Sequence, residues 1–166
     1  ITAKLVANLL NAAGVDRVLT MDLHASQIQG FFDIPVDHLY AKNVLCDYFI
    51  YTRKMNPDKT VVVSPDVGSL KMARAYSQKI NASFAVIDKR RTSPEKTEVM
   101  HILGAVKGKA AILVDDIVAT GGSLVEAAEG LRKKGVVKVY AAISHGVLSG
   151  DALEKIRRCK IIEEVL

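Results

Sequence analysis

Four continuous apolar runs set the tightest limit on what this chain can fold into. TVVVSPD at residues 60–66, FAVID at 84–88, KAAILVDD at 109–116 and VKVYAAIS at 137–144 are apolar through their centres rather than alternately apolar and polar. A strand of that kind is buried on both of its faces. Helical periods lie between them, through MARAYSQKI at 72–80 and LVEAAEGLRKKG at 124–135. After the last long run come the loop HGVLSG, a short helix, and KIIEEV, which reads as a final strand. Doubly buried strands alternating with helices describe an α/β domain with a parallel sheet flanked by helices.

The N-terminal part is less regular. Leu5, Val6, Leu9 and Leu10 make a helical stripe, and Gly14 stands where a C-cap belongs. DRVLTMD at 16–22 reads as a buried strand. LHASQIQGFFDIPVDHLYA, with Gly30 and Pro35, reads as a long functional loop or a domain boundary, and residues 42–55 return to a helical pattern closed by Asn56-Pro57. The chain opens on Ile1 inside a helical pattern and stops in a strand pattern, so it is expected to be a fragment of a longer protein. Of its 166 residues 49% are hydrophobic, enough for a sizeable core. The net charge of +5 is spread along the chain without interleaved aromatics, which suits phosphorylated small molecules better than nucleic acid. Cys46 and Cys159 are not in a CxxC pair, and no run reaches the length of a membrane span. A reduced, cytoplasmic protein with no membrane partner is the expectation.

Ligands of parallel α/β sheets bind at the carboxyl ends of the strands. Those ends carry Asp22 and His24, Ser64 and Asp66, Asp88 with Lys89 and Arg91, Asp115 and Asp116 with ATGGS, and Ser144 with His145. All these residue types suit phosphate or metal. In ILVDDIVATGGS, at 112–123, the small residues Ala119, Thr120, Gly121, Gly122 and Ser123 precede a helix. Such a turn lets backbone N–H groups converge on an anion at the helix N-terminus. Neither GxxxxGK[ST] nor GxGxxG is present. Two acids directly before an anion turn are harder to explain as capping.

The strand, two acids, small loop and T-G-G-S resemble the phosphoribosyl-pyrophosphate signature of the type I phosphoribosyltransferase-like fold. Further blocks, MDLHASQIQGFFDIPVDHLYA, VVSPDVG, DKRR and SHGVLSG, resemble in order those of the ribose-phosphate pyrophosphokinase (phosphoribosyl-pyrophosphate synthetase) family. That resemblance implies transfer of diphosphate from Mg-ATP to the 1-hydroxyl of ribose 5-phosphate, giving 5-phosphoribosyl 1-pyrophosphate and AMP. It implies two tandem domains, with residues 1–40 the C-terminal part of the first. Residues 41–166 would then be the second, truncated at its C-terminus and carrying the ribose 5-phosphate site. It also implies Mg²⁺ as cofactor and a homo-oligomer, a hexamer in the family.

The same resemblance carries roles to matching positions. Lys89 and Arg91 would be catalytic, on a mobile loop. Arg91, Asp115, Asp116, Ala119, Thr120, Gly121, Gly122 and Ser123 would bind ribose 5-phosphate. The turn would take the 5-phosphate while the acids face the sugar. His24, Asp66, Asp22, Asp33 and Asp37 would serve the metal. On residue chemistry alone, KRR is a solvated surface, and Asp33 and Asp37 cap or turn the Pro35 loop. Ala119 stands where the family commonly has an acid. Ser69 stands where a second glycine is frequent, at a position where φ > 0 would strain a serine. Two other functions share parts of the pattern: a nucleobase phosphoribosyltransferase, and a non-catalytic regulatory relative of the synthetase.

Overall fold

The computed structural model describes residues 2–90 and 99–166. It divides into two compact units, Ile1–Ala41 and Lys42–Leu166. In the first, α1 (Thr2–Ala12) is followed by β1 (Val18–Met21), a 3₁₀ segment (Ser26–Phe31) and β2 (Val36–Leu39). Gly14 ends α1 at φ 85°, and Val15 N–H bonds back to the Leu10 carbonyl at 3.2 Å, so the expected cap is built. β1 and β2 pair in parallel from Val18 opposite Val36 to Met21 opposite Leu39. The sequence pattern reads β2 as loop. Its four residues, VDHL, directly follow a proline and are too few to show a period.

The second unit holds a six-stranded sheet. Lys42–Asp47 forms α2 and runs on as a π-helical turn, Tyr48–Thr52. β3 (Thr60–Ser64), α3 (Leu70–Ile80), β4 (Ser83–Arg90), β5 (Val99–Leu103) and β6 (Ala110–Val118) follow. The chain then continues through α4 (Gly122–Lys133), β7 (Lys138–Gly146), α5 (Ala152–Arg158) and β8 (Ile162–Val165). The sheet order is β5-β4-β3-β6-β7-β8. Every pairing is parallel except β4 with β5, which is antiparallel from Val86 opposite Leu103 to Arg90 opposite Val99. The sequence reading, which takes residues 89–99 as a polar stretch, misses this edge strand. The short run VMHIL carries a histidine at its centre and lacks the continuous apolar signature of its neighbours.

Both faces of the sheet are covered, as doubly apolar strands require. On one face Val61, Val63, Ala111, Leu113, Val139 and Ala141 pack with Ala127, Ala128 and Leu131 of α4. On the other, Val62, Ile112, Val114 and Ala142 pack with Phe49 and with Ala73, Tyr76 and Ile80 of α3. Burying each large aliphatic side chain contributes about 1.5–3 kcal/mol. α3 and α4 end as their sequences indicate. Asn81 turns left-handed at φ 57°, and Gly135 does so at φ 86°. Among the described residues, no helix is long and apolar enough to cross a membrane.

Candidate functional site

The acids of the apolar run sit within β6, because the strand continues to Val118 rather than ending at residue 116. The two acids remain close enough to interact, and the neighbouring Asp116 adds to the upward shift of the Asp115 carboxyl. Asp115 is half-buried and Asp116 only 6% exposed. The Asp115 carboxylate is held by two donors. Ser69 Oγ donates to Oδ1 at 3.0 Å, and the Asp116 N–H donates to the same oxygen at 3.0 Å. Burial pushes the Asp115 carboxyl up to about 6, against the downward pull of those hydrogen bonds.

The turn after β6 is shaped by glycine and by the loop after β7. Gly121 takes φ 73° at the N-cap of α4, in the left-handed region that L side chains avoid. A Cβ there would also stand 3.3 Å from the Ala152 carbonyl at the start of α5. Leu148 and Ser149 amides bond the Val118 and Ala119 carbonyls at 3.1 and 2.9 Å and hold the back of the turn. Ala119, Thr120, Gly122 and Ser123 are exposed. The first-turn amides of a helix lack intrahelical acceptors and carry positive potential. Residues 119–123 therefore offer an accessible anion cradle, backed by packed loops.

A second strand end lies beside it. β3 ends at Ser64, whose hydroxyl donates to the Asp66 carbonyl at 2.7 Å. Asp66 is exposed, and its Oδ1 accepts the Ser69 N–H at 2.9 Å. Ser69 itself has φ −83° and ψ 4°, so the left-handed conformation considered for this position does not arise and serine is unstrained there. Sequence reasoning treats Ser69 only as a departure. No pattern in the chain signals that its hydroxyl reaches a residue 46 positions away. Lys89 lies in β4 opposite Met100. Arg91 lies outside the described residues.

The other predicted metal residues, His24, Asp22, Asp33 and Asp37, belong to the first unit. Asp22, 5% exposed and at φ 41°, accepts the Ala41 N–H at 3.0 Å. Asp33 pairs with Lys4 at 3.0 Å. Asp37 takes a bidentate contact from Arg17, which holds its carboxyl below the usual range. His24 is exposed in the segment after β1. His38 organises that segment, with its Nε2 accepting the Leu23 N–H at 3.0 Å. Among the described residues, no group of three or more His, Cys, Asp or Glu side chains is arranged to hold a metal ion. Mg²⁺ commonly binds through one or two carboxylates plus water and substrate phosphates. An exposed carboxylate such as that of Asp66 fits that chemistry.

Comparison with known proteins bears on this geometry. Residues 46–165 match the family model described as the phosphoribosyl transferase domain. The chain is 55% identical over its whole length to a ribose-phosphate pyrophosphokinase of Clostridium acetobutylicum and 51% identical to ribose-phosphate pyrophosphokinase A of Dictyostelium discoideum. It spans about half the length of the curated relatives it matches, 52% and 51% in these two cases. The crystal structure of phosphoribosylpyrophosphate synthetase from Mycobacterium smegmatis superposes with a TM-score of 0.85 at 40% identity, over 95% of this chain and 50% of that one. Orotate phosphoribosyltransferase from Aeropyrum pernix, at 17% identity and a TM-score of 0.53 over 75% of this chain and 71% of that one, shares the fold alone.

Proposed function

This chain belongs to the phosphoribosyl transferase domain family, and on that premise we propose that it is part of a ribose-phosphate diphosphokinase. The observation that carries the reading is the junction of β6 and α4. There an exposed turn of small residues at a helix N-terminus lies beside Asp115, with Asp66 linked to that acid through Ser69. Identity above 50% over all 166 residues of this chain to proteins named ribose-phosphate pyrophosphokinase supports it.

In this reading, the turn 119–123 takes the 5-phosphate of ribose 5-phosphate on the amides of the first turn of α4. Asp115 accepts hydrogen bonds from the sugar hydroxyls, with Asp116 beside it. The 1-hydroxyl oxygen attacks the β-phosphorus of ATP as the bond from that phosphorus to the α,β-bridging oxygen breaks. The hydroxyl proton is lost, and the electron pair leaves with AMP. Alignment of the two substrates and neutralisation of phosphate charge supply most of the acceleration in such a transfer. Mg²⁺ bound to the nucleotide would neutralise part of that charge. In the second unit Asp66 is the residue proposed to hold it; in the first unit His24, Asp22, Asp33 and Asp37 are proposed as metal residues on the family resemblance. Lys89 and Arg91 stabilise charge on the departing AMP. The same reading includes a cytoplasmic homo-oligomer, and it includes ribose 5-phosphate binding without turnover by residues 1–166 alone.

The test uses the full-length protein with Mg-ATP and ribose 5-phosphate, following AMP and 5-phosphoribosyl 1-pyrophosphate together. Equal yields of both, abolished by Lys89→Ala, are expected. A folded protein that binds ribose 5-phosphate but forms neither product would identify a regulatory relative. Consumption of 5-phosphoribosyl 1-pyrophosphate with a nucleobase would identify a transferase.

A further inference from the structure

Serine at a helix N-cap ordinarily turns its hydroxyl inward to accept an amide of the first turn. Ser69 is the N-cap of α3, yet its side chain makes no capping bond. Its hydroxyl instead crosses from the loop after β3 to Asp115 on the neighbouring strand β6, at 3.0 Å. Its own N–H points the other way in function, donating to Asp66 Oδ1 at 2.9 Å. The loop between is tight. A Cβ on Gly68 would stand 3.2 Å from that same Asp66 oxygen.

We propose that Ser69 is a positioning residue that orients the Asp115 carboxylate toward the sugar and ties it in register with Asp66. The proposal rests on the assignment of Asp115 to ribose 5-phosphate made above. A carboxylate half-buried at a strand end has two rotamer-dependent oxygens to offer. Ser69 Oγ and the Asp116 N–H both hold Oδ1, which fixes the plane in which the carboxylate stands. Because, among the described residues, the hydroxyl bonds Asp115 and the backbone amide bonds Asp66, a side-chain substitution separates the two functions. It also leaves α3 without a lost cap, so folding is not the expected casualty.

The experiment is a double-mutant cycle in the full-length protein, reading ribose 5-phosphate affinity by calorimetry and the KM and kcat of the forward reaction. Ser69→Ala should weaken ribose 5-phosphate about tenfold, the size of one hydrogen bond to a charged acceptor. It should leave kcat at saturating substrate and the thermal midpoint nearly unchanged. Ser69→Thr, which keeps the hydroxyl, should restore most of the affinity. In an Asp115→Asn background, Ser69→Ala should add little. Undiminished affinity in Ser69→Ala, or the same loss in both backgrounds, overturns the positioning role. If Asp115→Asn by itself leaves ribose 5-phosphate affinity intact, the assignment of Asp115 to the sugar falls, and the role of Ser69 falls with it.

Discussion

The two units of this chain are made differently, and the contrast shows where its stability and its chemistry reside. Residues 42–166 bury nearly all of the apolar core, including Val61, Ile112, Leu113, Leu131 and Val139 at 1% exposure or less. Residues 2–41 bury only Ala7, Asp22 and Ala41, while Leu5, Leu9 and Leu19 stand 56%, 61% and 68% exposed. Within residues 1–166 alone, the helical stripe and the parallel strand pair of the first unit leave these leucines exposed. Asp33 and Asp37 of the first unit pair at the surface with Lys4 and Arg17, whereas Asp115 of the second is half-buried on a strand.

The sharpest way to break the comparison is truncation in each unit. Leu113→Ala removes a side chain packed between β6 and α4 and should destabilise by about 2–5 kcal/mol. In residues 1–166 alone, Leu9→Ala should stay within about 0.5 kcal/mol. Urea unfolding of both variants decides the matter. A Leu9 loss as large as that of Leu113 would show that the first unit has a packed core after all.

Glycines sharpen it at the next level. Gly121→Ala places a Cβ in a left-handed conformation and against the Ala152 carbonyl, which should cost about 1–2 kcal/mol and weaken ribose 5-phosphate binding. Gly30→Ala, in the first unit, meets nothing within 4 Å and should be silent in the same two measurements. Equal melting of the two variants would remove the argument that the turn needs glycine.

The two units also predict opposite pH dependence. Asp115 keeps its proton in the folded chain to about 6, well above the ordinary carboxylate value. Between about pH 4 and 6 the native state then binds more protons than the unfolded one, so this acid makes stability fall as pH rises. Asp37 is held low by Arg17, so its contribution is present at neutral pH and fades as pH drops below the ordinary carboxylate range. Asp115→Asn should flatten the loss of stability between pH 4 and 6. Asp37→Asn should blunt only the acid limb. Urea midpoints across that range test both signs, and an unchanged profile in Asp115→Asn would show that the carboxyl is not buried as described. Ribose 5-phosphate binding should likewise strengthen as pH rises through about 6, since only the carboxylate accepts two sugar hydroxyls.

Much of the second unit was legible in the sequence because its signals are local and repeated. Continuous apolar runs identify β3, β4, β6 and β7, and their burial on two faces follows. The edge strand β5 and the short β2 were not legible. A strand of four or five residues beside a proline or a histidine carries no period to read, and its identity comes from the partner it pairs with. The candidate site divides in the same way. The turn 119–123 is a contiguous motif, and it appears where the motif puts it. Ser69, Ser149 and His38 act through hydrogen bonds between segments distant in sequence, which no linear pattern encodes. Nor did the sequence indicate that β6 would run two residues past its acids.

The smallest expected effect separates the surface acids of the first unit from a metal site. Asp33 is paired with Lys4 while remaining 71% exposed in its side chain. Exposed pairs of this kind add little to stability, because solvent screens the attraction and both side chains lose rotamer freedom. Asp33→Asn should therefore leave the urea midpoint unchanged within error, and raising the salt concentration should not alter that result. The same variant bears on the Mg²⁺ assignment. If Asp33 serves only Lys4, the Mg²⁺ dependence of the full-length enzyme will match that of the unaltered protein. Asp66→Asn will move it, because an exposed carboxylate at the β3 strand end is a donor suited to a hard cation. A large rise in the Mg²⁺ requirement of Asp33→Asn would instead mean that the Lys4 pair opens when nucleotide binds. The first unit would then join the chemistry from which its surface pairing separates it.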